Sequence, residues 1–173
     1  IVELPNGQIM VGGDFTKVNG TVKLGLARLN ADGSVDSTFT AQVPGPDIPG
    51  ILDLDTRKLT FDKSPNANQI PNYFTRVWGI IPDADGYLVV ADNANYYNYH
   101  FGYLRLNRDG STDKLYRAKY SGDLGFAPIR IARLPSGNIL LGGLGGSNNG
   151  IRVAVLDKKG DFDTNFSPNP SVP

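Results

Sequence analysis

Short apolar runs separated by glycine turns recur along the chain. The segments from Gln8 to Val11, Tyr87 to Ala91 and Asn138 to Leu141 are four or five residues long and dominated by Ile, Leu and Val. That length and β-branched content predict strands buried on both faces rather than helix. Each run follows a tight turn, at Pro5-Asn6-Gly7, Asp85-Gly86 and Pro135-Ser136-Gly137, where glycine accepts positive φ without a steric penalty. Apolar runs on both sides of such turns predict β-hairpins. In the first copy a third strand, Leu26 to Leu29, leads into a second turn at Asp32-Gly33.

The whole pattern repeats three times. Paired turn glycines, Gly7 with Gly33, Gly86 with Gly110 and Gly137 with Gly160, keep a near-constant spacing, so one structural unit is reused. The units run over about 1–39, 77–116 and 129–166, with an insertion at 40–76 and an extended Pro-rich tail at 167–173. A small hairpin is expected inside the insertion, around Leu52-Asp53-Leu54-Asp55 and Leu59-Thr60-Phe61-Asp62. Asp36, Asp113 and Asp163 each stand three residues before an aromatic, Phe39, Tyr116 and Phe166. The aspartate is expected to cap a turn through its own backbone, and the aromatic to wedge between neighbouring units.

A four-stranded unit of roughly 50 residues with one aromatic per copy is the pattern of a β-propeller blade. The expected fold is therefore all-β, a single β-propeller-like domain or propeller fragment of four-stranded antiparallel blades over 1–173. In detail the pattern resembles the delta-sixty repeat family. The first copy follows that signature through Leu4-Pro5-Asn6-Gly7, Gly12-Gly13-Asp14-Phe15 and Arg28-Leu29-Asn30-Ala31-Asp32-Gly33-Ser34-Val35-Asp36 to Phe39. The second has Ala91-Asp92 in place of the glycine pair, and the third has Lys159-Gly160-Asp161 in place of Asp-Gly-Ser. The resemblance covers roughly two thirds of the chain. It implies a propeller from a bacterial surface or secreted protein or a phage, with no shared catalytic chemistry. Three units fall short of the roughly four to eight blades of closed propellers. Either the chain belongs to a larger ring, which the start inside a strand pattern at Ile1-Val2-Glu3-Leu4 favours, or the insertion or a partner chain completes it.

Composition narrows the chemistry. Lys plus Arg and Asp plus Glu are balanced at 17 each, which argues against the basic face that nucleic-acid binding needs. With no cysteine, disulfides and thiol-ligated metals are excluded, and the chain fits either a reducing compartment or a bacterial exterior. The 21 glycines and 12 prolines suit a turn-rich β protein. No apolar run is long enough for a membrane-spanning helix, and with Ile rather than Met first the sequence reads as a mature or excised piece.

Candidate sites follow from the same rows. Gly142-Gly143-Leu144-Gly145-Gly146 lacks the Gly-Lys-Ser/Thr of a phosphate loop, and Asn148 stands where a dinucleotide fingerprint needs its last glycine. His100, the one histidine, has no Gly-x-Ser-x-Gly elbow to serve. Carboxylate pairs at Asp53/Asp55, Asp83/Asp85 and Asp161/Asp163 could serve a glycosidase, but read first as turn caps. Asn30-x-Asp32-Gly33-Ser34-x-Asp36 and Asn107-x-Asp109-Gly110-Ser111-x-Asp113 gather oxygens suited to calcium, yet lack the bidentate Glu, and turn stabilisation is the reading taken. No catalytic residue, metal or cofactor is assigned.

The segment from Asn93 to Tyr103 interleaves tyrosines with asparagines. Flat rings stack on sugar faces while amides pair with hydroxyls, and Tyr also favours protein recognition. Tyr96, Tyr97, Asn98, Tyr99 and His100 are the expected ligand-binding residues, joined by Asn148 and Asn149 in the corresponding loop of the third unit. The expected role is a noncatalytic recognition scaffold, extracellular or on a cell surface, binding a glycan or protein ligand. A polysaccharide hydrolase and a purely structural spacer are the alternatives.

Overall fold

A computed structural model describes residues 1–41, 51–53, 59–60, 69–71, 76–92, 101–116, 119–120, 124, 126–145 and 151–166; at 51–53, 59–60, 69–71, 101 and 119–120 it describes the backbone alone. Three antiparallel sheets form its frame. Unit 1 is β1 (Val2–Glu3), β2 (Ile9–Gly12) and β5 (Leu26–Leu29), in that order, with a separate ribbon of β3 (Lys17–Val18) and β4 (Thr21–Val22) inside the β2–β5 connection. In the insertion, β6 (Ile51–Asp53) pairs with both β7 (Leu59–Thr60) and β8 (Gln69–Pro71), so the expected hairpin gains a third strand. Unit 2 is β9 (Arg76–Asp83), β10 (Gly86–Asp92), β11 (Phe101–Asn107) and β12 (Lys119–Tyr120), ordered β12-β11-β10-β9. Unit 3 is β13 (Phe126–Arg133), β14 (Ile139–Gly145) and β15 (Ile151–Leu156).

The all-β reading holds. Four strands occur only in unit 2; units 1 and 3 have three among the described residues.

Period-two alternation explains the stacking. From unit 1, Met10, Leu26 and Phe39 pack against Tyr87, Val89 and Leu104 of unit 2. The intervening residues Leu88 and Val90, with Tyr103, face the other way and pack against Ile139, Leu141 and Leu156 of unit 3. Among the described residues, β10 is buried along its whole length on both faces and β11 contributes to both clusters, because unit 2 has a neighbour on each side; β2 and β14 are closed chiefly on one.

The first turn of unit 2 differs from expectation. Gly7 and Gly137 do take positive φ, +80° and +86°. Gly86 does not: it pairs with Asp83 across a two-residue turn, Ala84-Asp85. Its requirement for glycine is a close approach, since a Cβ there would lie 1.9 Å from the Leu106 carbonyl oxygen. This shorter turn shifts the alignment by one residue. Ile9 pairs with Leu29, Tyr87 with Leu106 and Ile139 with Leu156, so Val90-Ala91, not Ala91-Asp92, occupies the positions of Gly12-Gly13 and Gly142-Gly143.

All three units point the same way. At one end the Val77 N–H donates to the Gly13 carbonyl at 3.0 Å; at the other Arg133 Nη2 donates to Asp83 Oδ1 at 2.9 Å.

Candidate functional site

The end that carries the short turns holds a groove of about 730 Å³, lined by Leu4, Pro5, Asn6 and Gln8 of unit 1, Asp83, Tyr87 and Arg108 of unit 2, and Arg133 of unit 3. Its charged side chains are engaged within the fold, Arg108 through the Ala84 carbonyl at 2.7 Å. Arg28 Nε donates to Asp36 Oδ2 at 2.7 Å, while Nη1 reaches across the seam to the Arg108 carbonyl at 2.6 Å and the Tyr87 hydroxyl at 3.2 Å. The Arg28 guanidinium also lies 4.8 Å from the centroid of the Phe39 ring. Asp83 pairs with Arg105 at 3.2 Å and Arg133 at 2.9 Å, and Asp85 with Arg105 at 3.4 Å. Of these carboxylates Asp83 ties two sheets together, accepting from Arg105 of unit 2 and Arg133 of unit 3.

The repeated aspartates cap their turns as expected. Asp36, Asp113 and Asp163 accept from the backbone N–H two residues on, at 2.8, 2.9 and 3.0 Å. Hydrogen bonding from the Thr38 hydroxyl, and further bonds from the Thr38 N–H and Arg28, hold the Asp36 carboxyl far below the usual carboxylate range against the opposing effect of burial. The oxygen-rich turns that could suit calcium are used in the same way. Asp32 Oδ1 accepts from the Ser34 N–H at 2.9 Å and hydroxyl at 2.6 Å, and Asp109 repeats this with Ser111 at 2.9 and 2.7 Å. The hydroxyl bond is the main reason that both carboxyls sit below their ordinary range.

The opposite end carries the longer connections. Tyr96, Tyr97, Asn98, Tyr99, His100, Asn148 and Asn149 lie outside the described residues, but the strand ends that bracket them do not. Asp92 pairs with Phe101, Leu144 with Ile151, and both ends lie on the side where Val77 meets Gly13. Sequence reasoning passed over three residues here. Asp92 is fully buried and takes 2.8 Å from Arg76 Nε; its burial outweighs that cation and raises its pKa. Trp78 is the extra residue of a β-bulge, since Val90 faces Gly79 and Ala91 faces Val77. Bulges re-aim side chains, and this one leaves the indole exposed with the Arg76 guanidinium 5.6 Å from the ring centroid. The signal available in the sequence was that Trp78 is the single tryptophan; the bulge that exposes it is set by the pairing of β9 with β10.

Residues 4–39 match the family model described as a domain of unknown function, DUF5122, a β-propeller. No curated protein and no solved structure matches the chain. The matched segment is unit 1 from Leu4 to Phe39, and the register of units 2 and 3 carries the same β-propeller-type repeat through the rest of the stack.

Proposed function

We propose that this chain is a noncatalytic recognition scaffold of a surface or secreted protein, binding a carbohydrate or protein ligand through the connections at one end of its stacked sheets. The observation that carries the reading is the common direction of the three units. It brings Gly13, Asp92 with Phe101, and Leu144 with Ile151 to one end, so that the least repetitive segments issue side by side from a rigid frame. Recognition is commonly built this way, with packed sheets fixing the strand ends and loops supplying the contacts. The Asn- and Tyr-rich sequence from Asn93 to Tyr103 suits a ligand of fused polar and flat apolar surface. The close resemblance of unit 1 to the delta-sixty repeat supports a bacterial surface, secreted or phage setting. On the other end, Asp83 and Asp85 are tied to arginines, which favours a clamp over a hydrolytic pair.

The test is retention on glycan and protein arrays by the chain and by a variant with Tyr96→Ala, Tyr97→Ala and Tyr99→Ala. Selective retention that the triple variant loses is expected, and the array on which it occurs names the ligand class. Equal retention of both proteins removes the assignment.

A further inference from the structure

The groove at the short-turn end gathers an arginine from each unit. Arg28 stands on β5, Arg108 in the second turn of unit 2 and Arg133 at the end of β13. Among the described residues that line the groove, Asp83 is the one carboxylate. Two of these arginines are not demanded by the repeat. By register Arg133 is equivalent to Glu3 and Pro82, and by the hydrogen bonds of the turn Arg108 is equivalent to Ala31 and Lys158. Unit 1 therefore builds the same strand pair with an acid and the same turn with an alanine.

Arg108 and Arg133 meet one short stretch of backbone. Arg108 Nη2 donates to the Ala84 carbonyl at 2.7 Å, and Arg133 Nη2 to the Pro82 carbonyl at 3.4 Å as well as to Asp83. Pairing the charges leaves one cation over. Arg28 is balanced by Asp36, and Arg133 shares Asp83 with Arg105, on which Asp85 and Asp113 also lean. The partner of Arg108 is a neutral carbonyl, which takes one of its five N–H groups, while Asp109 beside it turns Oδ1 to Ser111. Deeper in the groove the Tyr87 hydroxyl accepts from Arg28 and so keeps its own proton to donate.

We propose that this groove binds a carboxylated sugar of the uronic acid kind, its carboxylate held by Arg108 and Arg133. A planar guanidinium matches a carboxylate edge to edge, and a single cation in excess suits a monoanion over a phosphate dianion. The volume of about 730 Å³ lies within the roughly 300–1,000 Å³ of small-ligand sites. Leu4 and Pro5 offer apolar surface to the C–H face of a sugar ring, and the Tyr87 O–H a donor to its hydroxyls. This site lies at the opposite end from the Tyr- and Asn-rich connections and does not rest on their role.

Titration of the whole chain with glucuronate, followed by amide NMR, tests the site. Shifts that saturate in the roughly millimolar range are expected at Asn6, Gly86, Arg108 and Arg133. Glucose as the neutral ring, acetate as the bare carboxylate and inorganic phosphate should each bind at least about tenfold more weakly. Arg108→Ala should weaken glucuronate about tenfold or more with circular dichroism unchanged, since Ala31 serves the equivalent turn. Arg108→Lys, which keeps the charge without the planar fork, should recover part of that loss. Arg130→Ala, an exposed cation outside the groove, should change nothing. The shift map is read on the unaltered chain, so it decides the matter even where a variant fails to fold. No saturating shift with glucuronate, shifts centred away from these four residues, or any of the three comparison ligands binding as tightly overturns the proposal.

Discussion

Phe39 of unit 1 meets Tyr87 of unit 2 edge to face, with ring centroids 5.7 Å apart and planes at 90°. The contact spans the first seam. It sits beneath Arg28, whose guanidinium covers the Phe39 ring and donates to the Tyr87 hydroxyl. An aromatic three residues after a turn-capping aspartate is thus the pin that joins one sheet to the next.

Truncating that pin should be expensive where the seam exists and cheap where it does not. Phe39→Ala leaves a cavity among Met10, Leu26 and Val89, and should lower unfolding free energy by about 3–5 kcal/mol. The equivalent change at the half-open Phe166 should stay within about 1 kcal/mol for the single chain. Denaturant melts of both variants check this. Equal losses would show that the two aromatics do the same job and that the seam is not what buries Phe39.

Two adjacent glycines should respond in opposite senses. At Gly143 a Cβ would lie 1.8 Å from the Ala127 carbonyl oxygen, so Gly143→Ala forces β13 and β14 apart. A loss of about 3 kcal/mol or more is expected, at or beyond the upper end of ordinary overpacking. At Gly142 there is ordinary contact and no positive φ, so Gly142→Ala should be neutral or raise stability by about 0.4–1 kcal/mol through the unfolded chain. The comparison uses the same substitution one residue apart in β14, so differing melting midpoints can be assigned to the close approach.

The fold was legible because its signals are local. Turn glycines, short apolar runs and the Asp-to-aromatic spacing are each written within a few residues, and Asp36, Asp113 and Asp163 do what their spacing implies. What escaped depends on register. The missing turn residue before Gly86 moves Val90-Ala91 into the place of a glycine pair, and the bulge that exposes Trp78 is visible only once Val77 and Gly79 are seen to flank it in the pairing with β10. The cross-seam bonds of Arg28 join residues far apart in the chain, Tyr87 and Arg108, which no period within one unit reveals. The tyrosine and asparagine candidates rest on side-chain chemistry alone, and their test is binding.

Acid should loosen the first seam through Asp36. Its folded pKa is depressed, first by the Thr38 hydroxyl and then by the Thr38 N–H and Arg28. A depressed carboxylate contributes stability that is complete above the unfolded value of about 3.9 and is lost as pH falls toward the folded value. Stability should therefore hold near neutrality and decline below about pH 4. Asp36→Asn should lower the neutral-pH midpoint and flatten that acid decline; Thr38→Val should flatten it in part. A decline unchanged by either substitution would place the acid sensitivity in other carboxylates.

Base should act at the second seam with the opposite sense. Tyr103 and Tyr116 hydrogen-bond through their hydroxyls, with ring centroids 5.6 Å apart. Burial pushes the Tyr116 phenol up to about 12 and the Tyr103 phenol further still. The folded state therefore holds these protons more tightly than the unfolded chain, whose tyrosines titrate near 10. Their contribution is complete below about pH 10 and is lost as pH rises toward 12. Tyrosinate absorbance should show a late phase in the folded protein that merges with the main phase in denaturant. Tyr116→Phe should remove one late proton and leave Tyr103 buried without its hydroxyl partner. A folded chain whose tyrosines all ionise in one step near 10 would mean that solvent reaches this seam, and the packing of unit 2 on unit 3 would need another account.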